Sequence, residues 1–241
     1  MLGHALAILR PVVMETGNAL LADQLQSIQQ NYRYLVDYFL SGTNDPRRSE
    51  LIDAMIHDTY ELVDEVYLAH RLQNNTDYEF RDMLRPDNCV IPTYPDPESV
   101  DNADPTFRTM WLSKPDDDHL LLFRKLIADP AMEIEAYLAI SGLTLSLLRS
   151  FSEKGFLALI EAAEEHYLIP IRERAWVSVL LLLLVYDDRL RFFPDIVAAV
   201  QDLLDSDDQR VFATTAMVCI VRTLGVDWAN KAFYSLQKSM T

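Results

Sequence analysis

Hydrophobic positions recur along most of this chain at the three-and-four spacing of α-helices, and the strict alternation of strands is almost absent. From Gly17 to Leu40 the apolar residues Leu21, Leu25, Ile28, Tyr32, Leu35 and Phe39 form one stripe of a helix. Ser41-Gly42 stops it, and Asp45-Pro46 supplies a cap and a first-turn proline for a second helix with the stripe Ile52, Ile56, Thr59, Val63 and Val66. Two matched stripes joined by a short turn predict an antiparallel helical hairpin. Ahead of it, the apolar run at the N-terminus is broken by His4, Arg10 and Pro11 and lacks the basic start and cleavage site of a secretion signal. It predicts a short first helix packed on the domain.

The most apolar stretch is Ala175 to Tyr186, twelve residues with Ser178 as the one polar side chain. Charges close it on both sides, Arg172 to Arg174 before and Asp187 to Arg189 after. A membrane span needs about 20 apolar residues, so this run predicts a helix surrounded by protein. Phe193-Pro194-Asp195 restarts a helix with proline at its first position, and Ile196, Val197, Val200, Leu203 and Leu204 give that helix one apolar stripe. A buried helix beside a half-buried one predicts a layered helical stack.

Between these regions the helical period fails. Residues 85–107 contain five prolines, and 74–114 as a whole reads as a Pro-rich acidic connector whose far end is anchored by Phe107, Met110 and Trp111. Its Asp96, Glu98, Asp101 and Asp104 lack the spacing and terminal glutamate of a calcium loop. Lys114-Pro115-Asp116-Asp117-Asp118 then opens a helix from His119 to Ala128. The aspartates are first-turn and capping carboxylates there, with Pro115 preset for the first turn. The domains expected are a helical hairpin region over 1–73, the connector over 74–114 and a helical repeat region over 115–241, packed separately or continuous with 1–73.

The net charge of −16 is spread along the chain with no basic face, which disfavours electrostatic binding to nucleic acid or anionic lipid. Two cysteines in different settings, Cys89 in the Pro-rich loop and Cys219 in an apolar helical run, give neither a disulfide framework nor zinc spacing. A reducing, cytoplasmic location is therefore expected, with Cys219 in the core. Asp53, His57, Glu61 and Glu65 follow one another at steps of four, a spacing that suits a metal. They lie opposite the apolar stripe without matching ligands on the partner helix, so a solvated acidic face is expected and no metal. No phosphate-binding glycine loop, nucleophile elbow or zinc-protease motif occurs, and the histidines are scattered. No catalytic residue and no cofactor is expected.

From Asp129 onward the chain repeats itself. Ile134-Glu135 with Leu138 to Ser141 returns as Ile171-Arg172 with Ala175 to Ser178, and again as Val211-Phe212 with Thr215 to Val218. The partner stretch Phe156 to Ile160 returns as Ile196 to Val200. This pattern resembles the HEAT-repeat family over residues 129–241. Leu203-Leu204-Asp205-Ser206-Asp207 followed by Val211 to Ala216 is similar to the family's junction of leucine-rich helix, acidic turn and following helix. Phe212 and Glu135 stand where the family usually has arginine, and Trp176 stands for a small residue.

The resemblance implies an all-α protein whose C-terminal part is a right-handed α-solenoid, an armadillo-type α-α superhelix, acting as a protein-interaction scaffold or adaptor. Its binding face would include Glu161, Glu164, Glu165, Phe192, Asp195, Gln201 and Asp202, an acidic surface with an aromatic edge suited to a basic peptide or protein. Two other readings stand beside it: a structural or assembly domain of a larger protein, and an enzyme whose site has no recognisable motif. A last helix, Val226 to Met240, carries Trp228, Phe233 and Leu236, for which coverage by a second copy or by following sequence is expected.

Overall fold

The computed structural model describes residues 2–42, 46–74, 103–165, 167–205 and 207–224. Among these residues every element is helical, as the spacing predicts: ten α-helices, one 3-10 turn and no strand. The chain forms two compact units, Met1–Met83 and Leu84–Thr241.

The first unit holds α1 (Leu2–Thr16), α2 (Ala19–Leu40) and α3 (Arg48–Asn74), each packed on the other two. Gly17, at φ 62°, reverses the chain after α1 in a conformation that costs other residues strain. Asn18 then caps α2, its Oδ1 accepting from the Leu20 amide at 3.0 Å. Leu6, Leu9 and Val13 of α1 meet Leu21, Leu25 and Ile28 of α2 and Met55, Leu62 and Val66 of α3. The expected first helix thus completes the core that a hairpin alone would leave half open. Its presence also turns α3. The most buried residues there are Met55, Thr59, Leu62 and Val66, while Ile52, Ile56 and Val63 are only half-buried, because α3 faces two helices rather than one. Helix α3 starts at Arg48, so Pro46 sits in the preceding turn rather than in its first turn.

The second unit begins, among the described residues, with α4 (Ala103–Leu112), a helix inside the stretch expected to be a connector. There follow α5 (Asp117–Ala128), the 3-10 turn Pro130–Met132, α6 (Glu133–Arg149), α7 (Glu153–Glu165), α8 (Ile169–Leu190), α9 (Pro194–Leu203) and α10 (Asp207–Leu224). Alternate helices pack side by side: α4 on α6, α6 on α8 and α8 on α10, and likewise α5 on α7 and α7 on α9. Each of α5, α7 and α9 also packs on helices of the first set, and the core between them holds Phe123, Leu126, Ile140, Leu143, Phe156, Leu159, Val179, Leu182 and Ile196. Burying these side chains supplies the main driving force for the unit.

Polar bonds fix the register of this packing. Asp117 of α5 pairs with Lys154 of α7 at 2.6 Å, and Arg124 with Glu161 at 3.0 Å, both across 37 residues. Moving seven residues along α5 moves the partner seven along α7 in the same sense, so the two helices run parallel. In the other set, Ser146 donates to the Ser113 carbonyl at 2.8 Å and Arg149 to the Leu112 carbonyl at 2.9 Å, satisfying the C-terminal end of α4. Arg174 Nε donates to Ser141 Oγ at 2.7 Å, Ser178 and Thr144 Oγ1 lie 2.7 Å apart, and the Tyr186 hydroxyl donates to the Leu147 carbonyl. Bonded partners in this set are 33 to 39 residues apart.

Gly142 sets how closely α4 and α6 approach. A Cβ there would lie 2.7 Å from both the Met110 Cβ and the Phe107 carbonyl oxygen, so only glycine allows this contact.

Three expectations for this unit need correcting. Among the described residues, helix α8 is not surrounded by protein on every side. Ala175, Trp176, Val179, Leu180, Leu182 and Tyr186 are buried, but Val177, Leu181, Leu183 and Leu184 are half-buried and Val185 is exposed. With neighbours on two sides and the α5–α7–α9 set behind, one face has no helix against it among the described residues. Cys219 is exposed rather than in the core, because it lies on the same outward side of α10. Pro115 precedes the cap of α5 instead of occupying its first turn. Cys89, His166 and the stretch Val226 to Met240 lie outside the described residues.

Candidate interaction surfaces

The residues singled out for partner binding fall on α7 and around α9. Glu161 and Glu164 are exposed on α7, and Glu161 is already paired with Arg124 beside a shallow cavity of about 210 Å³ that Phe123, Ile127 and Tyr167 also line. Glu165 is the last residue of α7, and its side chain is outside the described set. Asp195 lies in the first turn of α9, where the helix dipole favours a carboxylate. Gln201 and Asp202 are exposed in its last turn. Asp195 and Asp202 are seven residues apart, two turns and about 10 Å along one face. Phe192 is half-buried under the guanidinium of Arg191, 4.6 Å from its ring centroid. These residues therefore form two short acidic stretches on neighbouring helices, not one converged cluster.

Asp202 stands at the negative end of α9, where a carboxylate is unfavourable. Arg210 offsets this locally, donating from Nε to the Leu204 carbonyl at 2.6 Å and from Nη2 to the Asp205 carbonyl at 3.2 Å. These two bonds go to backbone, and the Asp202 side chain is exposed.

The aspartate triplet with His119 is structural. Asp116 caps α5, accepting from the His119 amide at 2.9 Å and from its ring Nδ1 at 2.5 Å. The amide bond, helped by the ring's hydrogen bond and charge, holds the Asp116 carboxyl below the usual carboxylate value. Asp117 is committed to Lys154. On α3, Asp53 and Glu61 are exposed and His57 half-buried, and among the described residues no three of His, Cys, Asp and Glu gather as metal ligands would.

The feature the sequence reading did not single out lies on the opposite side of the second unit. A broad trough of about 860 Å³ runs along the outward faces of α6, α8 and α10. Among the described residues its walls include Tyr137, Leu145, Val177, Leu181, Phe212 and Cys219. Beside it, Ile134 is 66% exposed, Tyr137 and Leu145 39% each, and Val185 46%. The helical spacing alone cannot reveal this, since an apolar residue facing outward and one facing the core look the same in a helix that is hydrophobic all round. That outward face is also why Pro130–Arg149 is long and apolar enough, by length and composition, to cross a membrane. Half of that stretch is buried inside the protein.

Comparison with known proteins finds no matching family model, no similar curated protein and no similar solved structure.

Proposed function

We propose that this chain is a non-catalytic interaction scaffold whose second unit is a right-handed α-solenoid of the HEAT type. The observation that carries the reading is the register of the inter-helix bonds: partners 33 to 39 residues apart, with parallel helices in each set. A stack in which each helical pair meets chiefly its neighbours is the organisation of repeat proteins. The pairs are α4/α5, α6/α7 and α8/α9, with α10 opening a fourth. Among the described residues the stack then starts at Ala103, a full pair before the repeated sequence pattern at Asp129.

Such a stack offers extended surfaces rather than an enclosed cleft, and one of them is the acidic side of α7 and α9. Glu164, Asp195 and Asp202 are exposed there, on a chain with net charge −16, which suits a basic peptide or protein partner. A cytoplasmic setting agrees with the absence of a disulfide framework in the sequence.

The test is affinity capture with the intact protein and with a Glu164→Lys/Asp195→Lys/Asp202→Lys variant of unchanged melting temperature. Basic proteins retained by the wild type and lost from the variant support the reading. Equal retention by both, or none by either, contradicts it.

A further inference from the structure

The trough on α6, α8 and α10 is distinct from the acidic surface just described and is independent of that reading. Its lining contains two charged residues among the described ones, Glu173 and Arg174, of opposite sign and adjacent in sequence. It is therefore a neutral, mostly apolar patch on a chain that carries −16.

Arg174 is held in place from two sides. Its Nε donates to Ser141 Oγ at 2.7 Å, and its guanidinium carbon lies 3.9 Å from the centroid of the Tyr137 ring. The two terminal nitrogens make no bond to the described residues, which leaves the forked edge of the guanidinium for a carboxylate from outside. Glu173 beside it is exposed and makes no ion pair among the described residues.

We propose that the occupant of this trough is a second copy of the chain, related by a two-fold axis passing near Glu173 and Arg174. In a two-fold contact the same patch serves both partners, so each residue pair occurs twice. An acidic and a basic residue side by side are self-complementary under that operation: Glu173 of each copy meets Arg174 of the other. Elsewhere the acidic surface repels a second copy, so charge selects this neutral patch for self-association. Ile134, 66% exposed on α6 beside the trough, supplies apolar surface to enter the partner trough, as helix ridges enter grooves. A charge-depleted apolar centre is what stable interfaces have.

The test is sedimentation equilibrium of the full chain across a wide concentration series, for wild type, Glu173→Arg, Arg174→Glu and an equimolar mixture of the two variants. Wild type dimerises. Each single variant places like charges together twice and raises the dimer dissociation constant by about tenfold or more, equivalent to about 1.4 kcal/mol. The mixture restores wild-type association, since one variant then presents two arginines to the two glutamates of the other. Restoration on mixing separates a charge pair from damage to the Tyr137 and Ser141 contacts, which mixing cannot repair. A wild type that is monomeric throughout overturns the proposal, as it would if residues 225–241 or a different protein cover the trough. A dimer indifferent to both substitutions, or single variants that fail to associate when mixed, overturns it as well.

Discussion

Thr144 Oγ1 on α6 lies 2.7 Å from Ser178 Oγ on α8, and both side chains are buried between the helices. Each hydroxyl also reaches a carbonyl four residues earlier in its own helix, Thr144 that of Ile140 at 2.6 Å and Ser178 that of Arg174 at 3.0 Å. Ser178 is the single polar residue of the apolar run in α8, and here it has a definite partner. A buried hydroxyl pair of this kind favours one register of the two helices, because sliding either helix loses the cross-helix bond and sets each hydroxyl against apolar side chains.

Ser178→Ala is expected to cost about 1 kcal/mol and Thr144→Val a similar amount. The double variant should cost less than the sum, by about 0.5 kcal/mol or more, because the residues are in direct contact. A urea-denaturation double-mutant cycle measures this, and strict additivity would show that the two hydroxyls act separately.

Core and outward positions of α8 alternate within a few residues, so neighbouring leucines should behave differently. Leu182 is fully buried, and Leu182→Ala should cost about 2–5 kcal/mol in chemical denaturation. Leu181 is half-buried along the outward trough, and Leu181→Ala should cost clearly less. Equal losses would mean that the outward side of α8 is as tightly packed as its inner side.

Gly142→Ala tests the closeness of α4 and α6. Alanine is favoured over glycine inside a helix by about 1 kcal/mol, so helix propensity alone predicts stabilisation. A Cβ at this position would lie 2.7 Å from backbone and Cβ atoms of α4, and separating the helices should outweigh that gain, for a net loss of about 1–3 kcal/mol. A raised melting temperature would contradict the packing described here.

Asp116 gives the molecule a specific response to acid. Its folded-state pKa is lowered below the ordinary aspartate value, chiefly by the hydrogen bond from the His119 amide. The stabilisation it brings is thus fully present above that value and is lost as pH falls through the lower folded-state value. Asp116→Asn keeps a capping oxygen but cannot titrate. Its melting temperature should fall less steeply than that of wild type between about pH 4 and pH 2. Parallel curves over that window would mean that the cap carries no proton-linked stability.

Helices with one clean stripe were legible from sequence. The spacing Leu21, Leu25, Ile28 defines α2, Ile196 with Leu203 defines α9, and Asp116 and Pro194 mark the starts of α5 and α9. Helix α4 was not legible, because its ten residues follow a Pro-rich stretch and include Pro105, too short and too interrupted for a period to show. The turn of α3 towards Met55 and Leu62 was hidden for another reason: it depends on α1 packing beside α2, a tertiary fact that the α3 stripe does not carry. The candidate site divides in the same way. Exposure of Asp195 and Asp202 followed from their place on the polar side of α9. The trough did not follow, because Tyr137, Leu145 and Leu181 are apolar like the core residues beside them, and only the set of helices behind them decides which side is covered.

The register of the stack is tested most directly by paired cysteines on a background with Cys89 and Cys219 replaced by serine. Asp117→Cys/Lys154→Cys and Arg124→Cys/Glu161→Cys should each be joined rapidly by a short bis-maleimide, since both native pairs are in contact across 37 residues. The mismatched pair Asp117→Cys/Glu161→Cys is two helical turns, about 10 Å, out of step and should react slowly. Fast linking of both matched pairs with slow linking of the mismatched one is the predicted result. Failure of the matched pairs, or linking of the mismatched pair at the same rate, would contradict the stacked-repeat account.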